Sequence, residues 1–217
     1  MEKNNMKKIT IDIETLPARE DQRETLQKIY DKQVAKKLKA VTQDNGFNIP
    51  FEEFFRKTSL DGSFGRILCI GYAINDEESS YICHGEDEKQ TLEDFWTLYS
   101  KDDLLIGHNI LNFDFKFIVQ RSMILKIKPT VDLAYHFVRY KHFPIFDTMQ
   151  EWIGWFGTNL GLEHVALAMG IPSPKGDIDG SKVYDYYLAG KTQEICDYCK
   201  RDVETTRKIY KRISFSE

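Results

Sequence analysis

Ile9, Ile11 and Ile13 alternate with Thr10, Asp12 and Glu14. A period of two predicts a β-strand over residues 8–14 with one apolar and one polar face. After Pro17 the pattern changes, and residues 19–40 are charged, helix-favouring and poor in apolar positions, which reads as a solvated helical segment. Turn-forming clusters follow at Asp44-Asn45-Gly46 with Pro50 and at Asp61-Gly62 with Gly65. Strands are then expected at 66–74 and 79–84, joined across 75–78 by a hairpin. Beyond them the pattern gives a helix at 87–99, a short buried strand at 103–107, a helix at 112–125 and a strand at 143–148. Three helical stretches close the chain at 160–169, 182–188 and 192–213. In order, this is three strands joined by hairpins, strand and helix in alternation, then helices. The fold class that suits it is α/β, a mixed sheet flanked by helices. No internal repeat interrupts residues 1–217, which read as one domain with a helical insertion at about 18–64.

Two of the predicted helices hold a carboxylate where periodicity calls for an apolar side chain. In the last helix Ile195, Tyr198, Asp202, Thr206, Ile209 and Ile213 share one stripe at about 100° per residue, so Asp202 faces the core. In the 112–125 helix Asp114 lies within the stripe of Phe113, Phe117, Ile118, Arg121, Ile124 and Leu125. An ionised carboxylate against a core costs several kcal/mol unless it is paired or coordinates a cation. Asp12 and Glu14 add two acids on one strand face. Four converging acids raise one another's pKa, whereas two divalent cations bring the local charge near zero. Taken singly, each acid has a plainer reading: Asp114 as a favourable charge in a first helical turn, Asp12 and Glu14 as a solvent face, Asp202 as a partner of Arg201 or Arg207. Their joint occurrence favours metal.

Composition narrows the field. With 41% hydrophobic and 29% charged residues the chain is neither disordered nor fibrous. The net charge of −4 gives no global attraction for polyanions, so contact with nucleic acid requires a local basic surface. Four cysteines in 217 residues are too sparse for a disulfide framework, and the charged start leads into a strand without a signal-like apolar core. A reduced, cytoplasmic protein is expected.

Three segments then become recognisable. ITIDIETLP (residues 9–17), GHNILNFDFKFI (107–118) and YCKRDVETTRKIY (198–210) resemble, in order, the three exonuclease motifs of the DEDD superfamily, the third in its tyrosine form, Y-x-x-x-D. The similarity is greatest to stand-alone relatives of the proofreading domain of family B DNA polymerases, described as predicted PolB-like 3′-5′ exonucleases. FDTM (146–149), the 162–171 stretch and VYDYYLAG (183–190) extend it over most of residues 7–213.

The resemblance implies a ribonuclease H-like fold with the first strand central in a five-stranded mixed sheet. It implies a 3′-5′ exonuclease that hydrolyses phosphodiester bonds from the 3′ ends of single-stranded or frayed DNA, or of RNA, with two divalent cations, Mg²⁺ or Mn²⁺. Asp12 would bridge the cations, Glu14 and Asp202 would complete the first, and Asp114 would hold the second. Tyr198 would orient the attacking water through its hydroxyl. Asn109 and Phe113 would meet the terminal nucleotide, and Thr15 and Leu16 would wedge the last base; core packing is an equal reading for Phe113. Lys32, Lys36, Lys37 and Lys39, or Arg139 and Lys141, are candidates for phosphate contacts.

The alternatives are a nucleic-acid-binding module of the same fold without turnover, an RNA-directed exoribonuclease, and a phosphatase or nucleotide hydrolase using the same metals. His142 and Asp147 also spell H-x-x-x-x-D, the third motif of the histidine branch, but Pro144 between them opposes the helix that motif needs. Cys196-x-x-Cys199 falls in mid-helix and reads as inert thiols.

Overall fold

A computed structural model describes residues 6–40, 49–173 and 178–216; for 36–40 it describes the backbone alone. Five strands form one mixed sheet in the order β3-β2-β1-β4-β5: β1 (Lys8–Leu16), β2 (Arg66–Ile74), β3 (Ser80–Ile82), β4 (Leu104–Gly107) and β5 (Ile145–Asp147). The first three pair antiparallel, while β1–β4 and β4–β5 are parallel. β1 is central, as the resemblance implies. The helices are α1 (Arg23–Ala40), α2 (Phe51–Lys57), α3 (Glu88–Leu98), α4 (Asp114–Ile124), α5 (Thr148–Ile153), α6 (Leu162–Ala168), α7 (Val183–Leu188) and α8 (Thr192–Ile213).

The alternation in β1 sorts its side chains to two different layers. Ile9, Ile11 and Ile13 are buried in the main core with Phe95 and Trp96 of α3 and Phe115 and Ile118 of α4. Asp12, on the other face, meets α8, which packs across β1, β2 and β4. The stripe of α8 is buried as its period predicts, Asp202 included at 8% exposure. Arg121, the other charge in an apolar stripe, is buried too. Its guanidinium forks onto both carboxylate oxygens of Glu88 at 2.8 Å, and Glu88 Oε1 also accepts from the Ile67 N–H at 2.8 Å. Three hydrogen bonds to the two carboxylate oxygens are what make a buried ion pair tolerable here.

Two expectations need correcting, and one helix was not placed. β1 and β2 are antiparallel neighbours, yet no hairpin joins them, because the insertion lies between Leu16 and Arg66. Inside the insertion, α2 fills the stretch between the two expected turn clusters, where no separate element was placed: Phe55, Leu26 and Ala18 form a small core of their own, with Phe51 and Phe54 packed on it. A six-residue helix, α5, directly follows β5 because Asp147 caps it, accepting from the N–H groups of Met149 and Gln150. The Asp44–Gly46 loop lies outside the described residues, as do the side chains of Lys36, Lys37 and Lys39.

Candidate active site

The parallel pairing of β1 with β4 ends at Thr10 and Ile106, while β1 runs on to Leu16. The β4-facing edge of β1 is open from there, and Asp12 and Glu14 project just beyond the point where its parallel neighbour stops. Into this opening comes the first residue of α4. Asp114 Oδ1 accepts from the Ile13 N–H at 3.1 Å, so a carboxylate takes the place of a missing ladder partner. A β-bulge between Glu14 and Thr15 re-aims the strand immediately afterwards.

The fourth acid arrives on α8, and the approach of that helix depends on one glycine. Gly71 stands opposite Asp12 in the β1–β2 register. A methyl group at position 71 would lie 2.8 Å from the Cys199 sulfur and 3.0 Å from Val203 Cγ2. The bare backbone lets α8 sit close enough for Cys199 Sγ to reach Asp12 Oδ2 and the Asp12 carbonyl, both at 3.4 Å. One turn further along α8, Asp202 acts on Asp12 and Glu14 through its charge.

The electrostatics follow from this crowding. Burial first, and then the charges of Asp202, Asp114 and Glu14, push the Asp12 carboxyl well above its ordinary range. Glu14 is raised by burial and by Asp202 and Asp114. Asp114 is pushed up to about 7, mainly by burial, although N–H groups of its own residue and of Ile13 hold it down. Burial and the neighbouring Asp202 also raise the Tyr198 phenol, which hydrogen-bonds that carboxylate. A cluster of this kind is either protonated or neutralised by cations.

As donors, the acids fit a hard divalent cation. Asp12 and Glu14 offer oxygens, and Cys199 a sulfur, all within 4.8 Å of one another; Asp114 and Asp202 stand outside that tight group. Asp114 reaches the same strand through the Ile13 N–H, and Asp202 and Tyr198 on α8 are close enough to feel the charges of Asp12 and Glu14. The expected substrate contacts divide. Asn109 has a left-handed backbone (φ 61°), its amide oxygen accepts from Asn112 Nδ2, and its N–H goes to Asp147. Phe113 is partly buried, its ring centroid 5.7 Å from that of Phe117, so packing accounts for much of it. The Thr15 hydroxyl donates to the Ser59 carbonyl at 2.7 Å. Leu16 is 1% exposed, packed with Leu68 and Val183 as a core residue, so it offers no wedge to a base in this arrangement.

The histidine reading also fails on geometry. His142 is an exposed side chain paired with Glu151 at 3.1 Å, and Asp147 ends a strand, where it accepts from the N–H groups of Asn109 and Leu111 as well as capping α5. Sequence reasoning missed Cys199 and Gly71. A glycine inside an otherwise apolar strand signals a close backbone approach, and that signal was present in the 66–74 segment.

Residues 63–217 match the family described as predicted 3′-5′ exonucleases related to the exonuclease domain of PolB. The chain belongs to that family. The matched residues include Asp114, Tyr198 and Asp202; Asp12 and Glu14 precede them, and the central strand brings them in. An uncharacterised protein of Methanocaldococcus jannaschii is 28% identical over 166 residues, which are 71% of this chain and 89% of that protein. Among solved structures, the family B DNA polymerase of the hyperthermophilic archaeon Pyrobaculum calidifontis superposes with a TM-score of 0.61 over 96% of this chain at 15% identity. The chain spans 24% of that polymerase. The shared fold is the ribonuclease H-like, five-stranded mixed sheet of a polymerase exonuclease domain. No described helix is long and apolar enough to cross a membrane.

Proposed function

We propose that this protein is a metal-dependent 3′-5′ exonuclease that removes nucleotides from single-stranded or frayed 3′ ends of DNA, with RNA as the alternative strand. The observation that carries the reading is the convergence of partly buried Asp12 and buried Glu14, Asp114 and Asp202, from a strand and two helices distant in sequence, on one spot beside Tyr198. Four mutually repelling carboxylates are retained at a cost in stability, which suits a site built for cations.

Oxygen donors of this kind suit Mg²⁺ or Mn²⁺. Asp12, Glu14, Asp114 and Asp202 would hold them, with Asp12 central among the acids. When bound, the cations would supply Lewis acidity that makes water nucleophilic near neutral pH and relieves charge on the phosphoryl oxygens. Tyr198 keeps its proton, since its surroundings raise an already high pKa, so it is no general base. Its hydroxyl orients the attacking water. Asn109 and the open edge of Phe113 lie on the loop leading into Asp114, where they would meet the terminal nucleotide.

The test is digestion of matched 5′-labelled DNA and RNA strands with Mg²⁺ or Mn²⁺. Progressive shortening from the 3′ end is expected, abolished by chelator and by Asp12→Ala. Internal cuts, hydrolysis of mononucleotides alone, or binding without any cleavage by clean protein would overturn the assignment.

A further inference from the structure

Beside the acid cluster lies an open cavity of about 340 Å³ that the reading above leaves unused. Its walls include Leu111 and Asn112 from the loop leading into Asp114, and Phe137, Arg139, Trp155 and Asn159 from the segments flanking β5 and α5. Two further rings extend outward from the lining Trp155 and stand open to solvent: Tyr140 is 57% and Phe156 86% exposed. The Tyr140 centroid lies 5.1 Å from that of Trp155 and 6.0 Å from that of Phe156. Tyr140 and Trp155 both have left-handed backbones, φ 62° and 67°, which bulky residues adopt only where the surroundings impose it. Soluble surfaces rarely gather exposed rings in this way without something to cover them.

The chemistry of this patch selects its occupant. Flat rings, side-chain amides (Asn112, Asn159) and a cationic group (Arg139) together match the bases, base edges and phosphates of a single strand. Among the described residues Arg139 has no carboxylate partner. A hydrophobic protein partner would need neither the amides nor the cationic group. Position agrees: one loop, 109–112, forms the cavity wall and leads straight into Asp114, and one residue, Asp147, both clamps that loop and caps the helix leading to Trp155.

We infer that this aromatic and basic groove binds the nucleotides upstream of the scissile bond, by stacking on Tyr140, Trp155 and Phe156 and by a phosphate contact to Arg139, without reading sequence. The inference rests on the nuclease reading for which end of the strand enters the acid cluster.

It is tested by equilibrium binding of a short fluorescent oligothymidylate with chelator present, so that no turnover is needed. Tyr140→Ala and Trp155→Ala should each weaken binding by roughly tenfold, with Trp155→Phe restoring most of it and the salt dependence unchanged. Arg139→Ala should flatten the salt dependence by about one phosphate contact. Phe215→Ala, on an exposed residue elsewhere, should change nothing. Folded variants that bind like the wild type, a wild-type protein with no affinity for the strand, or loss of affinity equal in Trp155→Ala and Phe215→Ala would overturn the groove. A protein that binds here yet never cuts would instead sink the nuclease reading, and one that cuts while these variants bind normally would sink only the groove.

Discussion

Asp114 shows how a single side chain can serve structure and chemistry in opposite directions. Its carboxyl is raised from an ordinary 3.8 to about 7 by burial. The folded chain thus holds a proton there that the unfolded chain releases, and the stability it contributes at low pH is lost as pH rises through that window. Asp12 and Glu14, raised in the same sense, steepen the loss. Cation-free protein should therefore lose thermal stability between pH 3.8 and about 7, and Asp114→Asn should be more stable than wild type above neutrality by about 2 kcal/mol. Scanning calorimetry in chelator checks this; a variant less stable than wild type there would contradict it. Tyr198→Phe separates orientation from binding. Turnover should fall roughly 100-fold while the stabilisation of the protein by Mn²⁺ persists. Asp114 and Asp202 could be found from sequence because each breaks an apolar stripe, whereas Asp12 and Glu14 obey the alternation of their strand and stand out only in company with the other two. Cys199 broke none: a thiol is an acceptable core residue, and only its closeness to Asp12 gives it significance.

At the scale of elements, β1 and α8 were legible almost to the residue, since each carries a long unbroken period. The short elements were not. α2 has seven residues and no side-chain cap, and its aromatics bury against Leu26 of α1 and against Ala18, contacts that no local pattern encodes. α5 did have its signal, an aspartate ahead of Thr-Met-Gln-Glu, but the apolar run of β5 masked it. The long connection from β1 to β2 was read as part of a hairpin succession because strand pairing is decided in three dimensions. Between α3 and α4 the buried pair of Glu88 and Arg121 fixes both helices and the edge of β2 at once. Glu88→Ala should cost about 3–5 kcal/mol, since it strands a buried guanidinium. Urea unfolding measures it, and a loss below about 1 kcal/mol, the level of an exposed pair, would show that the pair is not structural.

For the whole molecule, the net charge of −4 and the family both matter. An acidic protein that handles a polyanion must confine its attraction to one surface, and the proposed cation site with the groove inferred beside it would form such a surface. The insertion docks on the site strand through Thr15 to Ser59, closes on itself where the Thr58 hydroxyl accepts from the Ala18 N–H, and reaches α7 through Arg56 and Asp185. It lies largely before the residues matched to the family, so it is the part of the chain that family membership explains least. The central claim is that distant acids converge to hold divalent cations. Calorimetric titration of Mn²⁺ into metal-stripped protein tests it directly. Saturable binding at neutral pH is expected, weakened in Asp12→Asn by more than the roughly 10–100-fold typical of losing an outer partner of a ligand. Equal binding by wild type and variant, or no binding by either, would contradict the account.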